Sequence, residues 1–209
     1  MKGEPTCPRC GRAVRAPSVF QSSWECEVHG VIQPLHAAGQ PSMEAVRAVV
    51  GRAMVPVWVP WPLPAGWVVT GITDAGERSA SWATVVACSG PNPCGGPGDL
   101  LLVAEEPGVG LGARYAGMDG PDPGPLPEWT GPHTKITAAG HDTPLWCVPG
   151  ASDRAVFVGE AMGLWLWAVL WPASAGCLMY DEINLIDLRE AGPVAEMLPF
   201  GALSPRISG

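Results

Sequence analysis

Four side chains near the start of the chain have the types and the spacing of a complete metal-binding site. Two residues separate Cys7 from Cys10, and Cys26 and His29 repeat that spacing after a short intervening segment. Thiolate sulfur and imidazole nitrogen are ligands that Zn²⁺ prefers, and four of them close the tetrahedral shell of a structural site. The doubled spacing therefore predicts one structural zinc ion held by these four residues.

The residues around the ligand pairs favour the tight turns that such a site needs. Pro8 stiffens the first turn, and Gly11 and Gly30 each follow the second ligand of a pair, where a positive φ lets N–H groups point at sulfur. A catalytic or redox site is the alternative, but catalytic zinc keeps an open position and usually binds fewer sulfurs. We therefore predict a zinc ribbon over residues 1–36.

A glycine-rich stretch after a predicted apolar strand is the second candidate site. Gly108, Gly110 and Ala113 match the spacing of a dinucleotide fingerprint, and Arg114 would be the natural charge partner of a bound anion. That motif requires a helix whose N-terminus faces the pyrophosphate. From Gly117 onward, glycines and prolines end any helix within about two turns, so a structural turn is favoured over a nucleotide site.

The remaining chemistry-bearing residues form no known motif. His133, His141 and Asp142 could supply a second metal or acid–base site, but their spacing is irregular. The other four cysteines are interpreted as small buried hydrophobes or loop residues, and they are Cys88, Cys94, Cys147 and Cys177. The chain has none of the short motifs of serine hydrolases, HExxH metalloproteases or P-loop NTPases.

The composition is that of a globular protein and not of a disordered one. The 209 residues are 47% hydrophobic and 15% charged, and the 27 Gly and 24 Pro predict many turns and short elements. A formal net charge of −8 disfavours unspecific nucleic-acid binding, because the chain as a whole repels phosphate. No secretory h-region precedes the first ligand, and thiols spaced as metal ligands suit a reducing compartment, so we expect a cytoplasmic protein.

One uncharged run, residues 161–180, is long enough to cross a bilayer. Pro172, a serine and glycines interrupt the run, and no Lys or Arg lies immediately outside either end to orient it. Its first half, Leu164–Trp171, is apolar on both faces under a period of two, as a central strand covered on both sides requires. We therefore predict a buried strand followed by a turn, and no membrane span.

One helix is predicted between the ribbon and the rest of the chain. Ser42 can cap its start, Glu44 lies in its first turn and Gly51 follows its end, which indicates a helix over residues 43–50. Arg47 lies three residues after Glu44 and would form an exposed ion pair with it.

A segment rich in proline and tryptophan opens the main domain. Its prolines forbid a helix and impose extended geometry. Trp58, Trp61 and Trp67 could form an aromatic binding platform, but we favour the interpretation that they seal one edge of the core.

The rest of the chain alternates short apolar stretches with turns. Strands are predicted over residues 67–73, 81–88, 100–106, 145–148, 155–158, 164–171 and 184–188. Short helical segments are predicted over residues 111–115 and 173–179. We expect an α+β fold, with an N-terminal zinc ribbon followed by a mainly antiparallel β-sheet domain with a few short helices. The predicted domains are the ribbon at 1–36, a linker with a short helix at 37–54, a Trp/Pro/Gly-rich α+β domain at 55–200 and a tail at 201–209.

Several stretches that together span nearly the whole chain carry a resemblance to a known family. They are MKGEPTCPRCG, PVWVPWPLPAGW, VACSGP, LLVAEEPGVGLGARYAGMDGPDPGP, VGEAMGLWLWAVLWP and LPFGALSPR. The chain resembles an uncharacterised family from high-GC Gram-positive (actinobacterial) bacteria, a zinc-ribbon-headed domain of unknown function. The resemblance implies no established activity.

Three functions are compatible with these features. The leading hypothesis is a non-enzymatic protein-binding or scaffold module, in which the ribbon docks a protein partner. The first alternative is an enzyme that uses a small molecule or nucleotide near Gly108–Arg114. The second is a nucleic-acid-linked regulator that uses Arg9, Arg12 and Arg15 of the ribbon.

Overall fold

The computed structural model describes residues 3–126 and 131–207. It consists of a large, curled, mixed β-sheet with short helices and an N-terminal Cys/His cluster. This architecture confirms the predicted fold class. The first two residues of the predicted ribbon, residues 127–130 of the predicted main domain and the last two residues of the predicted tail lie outside the described part. Residues 3–36, which carry the Cys/His cluster, are called the Cys/His module below.

Eleven strands are described, and two of them form a small hairpin inside the Cys/His module. In chain order the strands are β1 (Glu25–Cys26), β2 (Gly30–Val31), β3 (Trp58–Pro60), β4 (Val68–Gly76), β5 (Ser81–Pro91), β6 (Pro97–Glu105), β7 (Thr134–Ala138), β8 (His141–Cys147), β9 (Ala155–Ala161), β10 (Leu164–Trp171) and β11 (Asn184–Asp187). The large sheet has the order β3-β11-β7-β8-β9-β10-β6-β5-β4. All its neighbours are antiparallel except β11 and β7, which are parallel.

The sheet contains two strands that the sequence patterns did not indicate, β3 and β7. The proline-rich segment was predicted to be extended but was assigned no strand; Pro60 is tolerated in β3 because β3 lies at the edge of the sheet, where a residue without an N–H group can be accommodated. Trp58 and Trp67 are 1% and 3% exposed, so they belong to the core and do not form a platform. β7 has only five residues between turns, which is too short for a clear alternation.

Strand β10 lies inside the sheet and carries a hydrophobic core on each face. Leu166, Ala168 and Leu170 pack into one core, together with α1 and most of the buried tryptophan-rich segment. Trp167 and Val169 point the other way, into a second core that includes the residues of α2. This alternation confirms the prediction of a central strand covered on both sides.

Helix α1 (Met43–Val50) has the bounds and the cap that the sequence predicts. The hydroxyl of Ser42 accepts a hydrogen bond from the N–H of Ala45 at 3.2 Å. The predicted pair of Arg47 with Glu44 is replaced: the Arg47 guanidinium contacts Glu196, at 3.1 Å. The reason is tertiary, because the segment that carries Glu196 packs against α1 and offers a second carboxylate.

Among the described residues there are three further helical segments, namely α2 (Leu111–Ala116) and 3-10 helices over Ala173–Tyr180 and Gly192–Met197. The uncharged run 161–180 is thus β10 followed by a 3-10 helix. Across the residues that the structure describes, none of the helices combines the length and the apolar character needed to span a bilayer.

The free edge of β4 is covered from both ends of the chain. Leu35 of the Cys/His module forms a bridge with Ala75, and Phe200 forms a bridge with Val69. Ile207 is 2% exposed, and its carbonyl oxygen accepts a hydrogen bond from the Tyr115 hydroxyl at 2.7 Å. The segment 199–207 therefore lies packed along the sheet edge.

Candidate metal centre

The ligand atoms of Cys7, Cys10, Cys26 and His29 all lie within 4.8 Å of one another. The Sγ atom of Cys7 is 3.5 Å from His29 Nδ1, and the Sγ atom of Cys26 is 3.7 Å from both His29 Nδ1 and Cys10 Sγ. A tetrahedral zinc ion with bonds of about 2.0–2.3 Å separates its ligands by roughly 3.5–3.8 Å. The four residues therefore outline the tetrahedron that an ion of this size would fill.

Two tight turns place these ligands, as their glycines indicate. The N–H of Gly11 donates to the carbonyl oxygen of Cys7, and the N–H of Cys7 donates to that of Arg12, both at 2.8 Å. Gly11 and Gly30 have φ values of 71° and 67°, a region that residues with a side chain rarely adopt. Gly30 then pairs with Cys26 in the β1–β2 hairpin. The local sequence thus positions the two ligands within each pair, and backbone hydrogen bonds between Arg15 and Glu25 bring the two pairs together.

The two buried thiols differ in their pKa. Burial, the largest effect, raises the pKa of Cys7 to about 11 although backbone N–H groups of its turn lower it. Burial also raises the pKa of Cys26, but hydrogen bonds from backbone N–H groups and from the His29 ring outweigh it and leave the pKa at about 6. A metal ion must therefore displace a proton from Cys7, which makes binding depend on pH.

Four donors of this kind can hold one metal ion and leave no coordination position for a substrate. Cys7 and Cys26 are 0% and 3% exposed, and they pack with Ile32 in a small core of their own. Within residues 3–126 and 131–207, no second group of three or more metal-ligating side chains comes together. The arrangement suits a structural centre and not a reaction centre.

The glycine-rich loop that resembled a ligand site receives a side chain of the Cys/His module instead. The guanidinium of Arg9 donates hydrogen bonds to the carbonyl oxygens of Gly108 and, at 3.3 Å, of Val109. A Cβ atom at Gly110 would lie 2.8 Å from Arg9 Cγ, and both Gly110 and Gly11 have positive φ values, 86° and 71°, which residues with a side chain rarely adopt. Glycines are therefore favoured on both sides of this contact, which joins the module to the loop.

The N-terminus of α2 is occupied by a carboxylate of the chain itself. Glu105 is 0% exposed and accepts hydrogen bonds from the N–H groups of Leu111 at 2.7 Å and Gly112 at 3.0 Å. Burial raises the pKa of Glu105 to about 8, although these N–H groups lower it. A nucleotide phosphate at this helix would have to displace Glu105, so the geometry disfavours the nucleotide interpretation of Gly108, Gly110 and Arg114.

Sequence reasoning missed Glu105. The only local signal was a carboxylate at the end of an otherwise apolar strand, three residues before Gly108. A buried carboxylate needs partners, and the nearest unpaired backbone donors are those at the start of the following helix. Gly112 is also required there, because a Cβ atom would lie 2.3 Å from the indole of Trp167.

The other candidate residues do not join the glycine-rich loop. His133 is exposed and accepts a hydrogen bond from the N–H of Cys147 at 3.2 Å. His141 and Asp142 are exposed at the start of β8. Strands β8 and β6 are separated by β9 and β10, so three strand spacings, about 14 Å, lie between these side chains and the strand that leads into the loop.

His36 has a structural role that its spacing did not indicate. The backbone N–H of His36 donates a hydrogen bond to the carbonyl oxygen of Asp74 at 3.0 Å, and the ring Nε2 atom is 3.1 Å from the carbonyl oxygen of Gly76. These bonds hold the end of the Cys/His module against β4. Beside them lies a cleft of about 750 Å³ whose walls include Trp24 and Arg52. The Arg52 guanidinium is already paired with the buried Asp74 carboxylate through two contacts of 2.5 Å.

These features define a β-sheet protein with short helices and an N-terminal centre of three cysteines and one histidine that can hold a metal ion. The chain belongs to a family of unknown function, DUF6758, whose model matches residues 1–207. Comparison with curated proteins and with solved structures found no match.

Proposed function

We propose that this chain is a non-enzymatic protein-binding module, in which a structural zinc ion holds the Cys/His module folded and the module presents an apolar anchor to a protein partner. The observation that carries the proposal is the exposure of Val19 and Phe20, which are 93% and 96% exposed. We further propose a reducing compartment such as the cytoplasm, where the ligand thiols stay available for metal.

Val19 and Phe20 form the tip of a hairpin in the Cys/His module. Ser18 and Gln21 flank them and exchange two backbone hydrogen bonds, at 2.7 Å and 3.2 Å. Two-residue turns normally carry Asn, Asp or Gly, so an apolar pair at this position conflicts with the local preference. Such local conflicts are expected at functional sites. An exposed aromatic side chain on a rigid support is the kind of anchor that fills a pocket of a partner protein.

The nucleic-acid alternative has less support. Of the three arginines that it invokes, Arg9 is directed at the glycine-rich loop, and Arg15 lies 3.8 Å from the carboxylate of Glu27. Arg12 is exposed, but one arginine on a chain of net charge −8 is a weak attraction for a phosphate backbone. The enzyme alternative placed a ligand site near Gly108–Arg114, but the carbonyl oxygens of Gly108 and Val109 in this loop accept hydrogen bonds from Arg9.

Elemental analysis and native mass spectrometry of the purified full-length chain test the metal. We expect one equivalent of zinc in the native protein and none in Cys10→Ser. Cys147→Ser is the matched control, because Cys147 is exposed and outside the cluster, and it should keep the full equivalent. A fully folded protein that neither contains nor binds zinc would refute the proposal.

Affinity capture from native lysate tests the partner-binding role. We expect a protein that co-purifies stoichiometrically with the native chain and is lost with the double variant Val19→Ser/Phe20→Ser. Met197→Ser is the control, since Met197 is also an exposed apolar side chain, at 64%, but lies outside the module. Both variants should keep the zinc. Equal capture by the double variant and the control would refute the role of the tip.

A further inference from the structure

Cys94 and Cys177 form a close pair of thiols outside the metal centre. Their Sγ atoms are 3.0 Å apart, although 83 residues separate them in the chain. A disulfide bond has a length of about 2.05 Å, so a displacement of roughly 1 Å would bring the two sulfurs to bonding distance. Cys94 is exposed and Cys177 is partly exposed, so a dissolved oxidant can reach the pair.

The side chain of Asn92 holds the two cysteines in register. Its Oδ1 atom accepts a hydrogen bond from the N–H of Cys94 at 3.0 Å and lies 3.9 Å from the Sγ atom of Cys177. Its Nδ2 group donates to the hydroxyl of Ser174 at 3.1 Å, within the same 3-10 helix as Cys177. Asn92 is only 5% exposed. The β5–β6 turn is thus tied to the 3-10 helix by an arrangement that does not depend on a bond between the sulfurs.

The β5–β6 turn, which carries Cys94, and the 3-10 helix, which carries Cys177, are each held in place by further contacts. The N–H of Asn92 donates to the carbonyl oxygen of Gly96, and the N–H of Gly95 donates to that of Asn92, both at 2.8 Å. On the other side, a Cβ atom at Gly176 would lie 2.6 Å from the Cβ atom of Ala155, so the 3-10 helix is packed tightly against β9. The two backbone segments that carry the sulfurs therefore cannot move far apart without a rearrangement of the fold.

The other two cysteines outside the metal centre lack these properties. Cys88 is fully buried, and burial raises the pKa of its thiol to about 12, which keeps it protonated and unreactive. Cys147 is exposed, but among the contacts of the described residues its sulfur has no second thiol beside it. The thiols of Cys88, of Cys147 and of the Cys94–Cys177 pair are therefore expected to differ sharply in their reactivity toward a disulfide oxidant.

We propose that Cys94 and Cys177 are a reversible dithiol–disulfide pair that a small disulfide, such as oxidised glutathione, converts to an intramolecular bond. The thiolate of one cysteine attacks a sulfur of glutathione disulfide, forms a mixed disulfide and releases one glutathione thiolate. The thiolate of the other cysteine attacks the cysteine sulfur of that mixed disulfide and releases the second. Two cysteine thiols are oxidised, one glutathione disulfide is reduced to two glutathione thiols, and the two protons pass to the released thiolates.

The bond would connect two elements that now meet through the side chain of Asn92 and through the contact between the two sulfurs. A cross-link between distant positions restricts the unfolded chain, so the oxidised protein should resist denaturation more strongly than the reduced protein. Because the bond joins groups already in contact, the native fold should change little. Oxidation of the pair would therefore follow the redox state of the surroundings and would raise the stability of the protein without changing its fold.

Tryptic mapping without reduction tests the proposal on the full-length protein. The native chain is incubated with oxidised glutathione, its free thiols are alkylated, and the protein is digested. Cleavage after arginine places Cys94 in the peptide 79–114 and Cys177 in the peptide 155–189, and only the first contains another cysteine, Cys88. We expect these two peptides to be joined, and the link to disappear when reduced glutathione is added in excess.

The variants assign the link to its sulfurs. Cys88→Ala should keep it, whereas Cys94→Ser and Cys177→Ser should both lose it and instead carry glutathione on the remaining cysteine. The urea midpoint should rise on oxidation of the native chain and of Cys88→Ala, and in neither serine variant. Two outcomes would overturn the proposal: peptides that are alkylated or glutathionylated but never joined, and a link in the native protein that excess reduced glutathione cannot open.

Discussion

The guanidinium of Arg9 donates a hydrogen bond to the carbonyl oxygen of Gly108, 99 residues further along the chain. Arg9 lies between Cys7 and Cys10 of the Cys/His cluster, and Gly108 belongs to the loop that leads into α2. The turn that carries these two cysteines therefore also joins the Cys/His module to the rest of the chain. Loss of a bound metal ion should weaken the contact between Arg9 and Gly108, because it loosens the turn that carries Arg9. Loss of the Arg9 guanidinium should remove the same contact directly.

Removal of the anchor should destabilise the protein without removing the metal. Arg9→Ala leaves two carbonyl oxygens without a charged donor, and such a bond is worth about 1–3 kcal/mol in the free energy of unfolding. Urea titration monitored by tryptophan fluorescence measures the loss. Arg12→Ala is the control, because Arg12 is exposed and its substitution should cost less than about 0.5 kcal/mol. Equal effects of the two variants would contradict the anchoring role.

Chelation should open the Cys/His module before the sheet. Structural zinc supplies on the order of 10 kcal/mol to the folding of small modules, and the core of this module contains few apolar residues. In a chelator we expect trypsin to cleave after Arg12 and Arg15 while the far-ultraviolet signal of the sheet remains. Zinc added back should restore resistance. Cleavage at the same rate with and without chelator would show that the fold of the module does not depend on metal.

Gly112→Ala should cost more than an ordinary glycine substitution. The new Cβ atom would lie 2.3 Å from the indole of Trp167, a buried residue of the central strand, so strand or helix must shift. Overpacking of this kind costs typically 1–3 kcal/mol, about the range expected here. Gly39→Ala is the matched control, since its Cβ atom would meet nothing within 4 Å and the backbone there has no positive φ. Calorimetric unfolding of both variants measures the difference.

Glu105 should make stability decrease as the pH rises. Its pKa is about 8 in the folded protein because it is buried, against 4.5 for the ordinary side chain. Between these values the folded state binds a proton that the unfolded state has lost, so unfolding becomes easier with increasing pH. The accumulated effect is on the order of a few kcal/mol between pH 4.5 and pH 8.

Glu105→Gln removes this titration and should flatten the dependence of the unfolding free energy on pH over that range. Glu106→Gln, at the exposed neighbouring position, should keep the slope of the native chain. Urea titrations at several pH values compare the three proteins. Parallel profiles for Glu105→Gln and the native chain would rule out the proposed protonation.

Much of the framework follows from short-range patterns. The Cys/His cluster, the cap of α1 and the two apolar faces of β10 were all predicted, because each depends on residues a few positions apart. The predicted pair of Arg47 with Glu44 was wrong although both residues were correctly placed on the helix. A local pattern identifies which side chains are adjacent on an element, but not which distant carboxylate competes for them.

The amino-acid sequence by itself identified the four residues of the Cys/His cluster that could hold a metal ion, since the two-residue spacings and the glycine turns place the donor atoms of each pair side by side. The backbone donors to Glu105 lie only six and seven residues along the chain, and the tertiary structure decided its burial, because α2 packs back onto β6. Only the tertiary structure decided the roles of Arg9, Cys94 and Cys177, because their partners lie far along the chain on elements that meet through the order of strands in the sheet. That order places β10 inside the sheet, where both of its faces are buried, and places β4 at an edge that both ends of the chain cover. No short window of sequence contains this information.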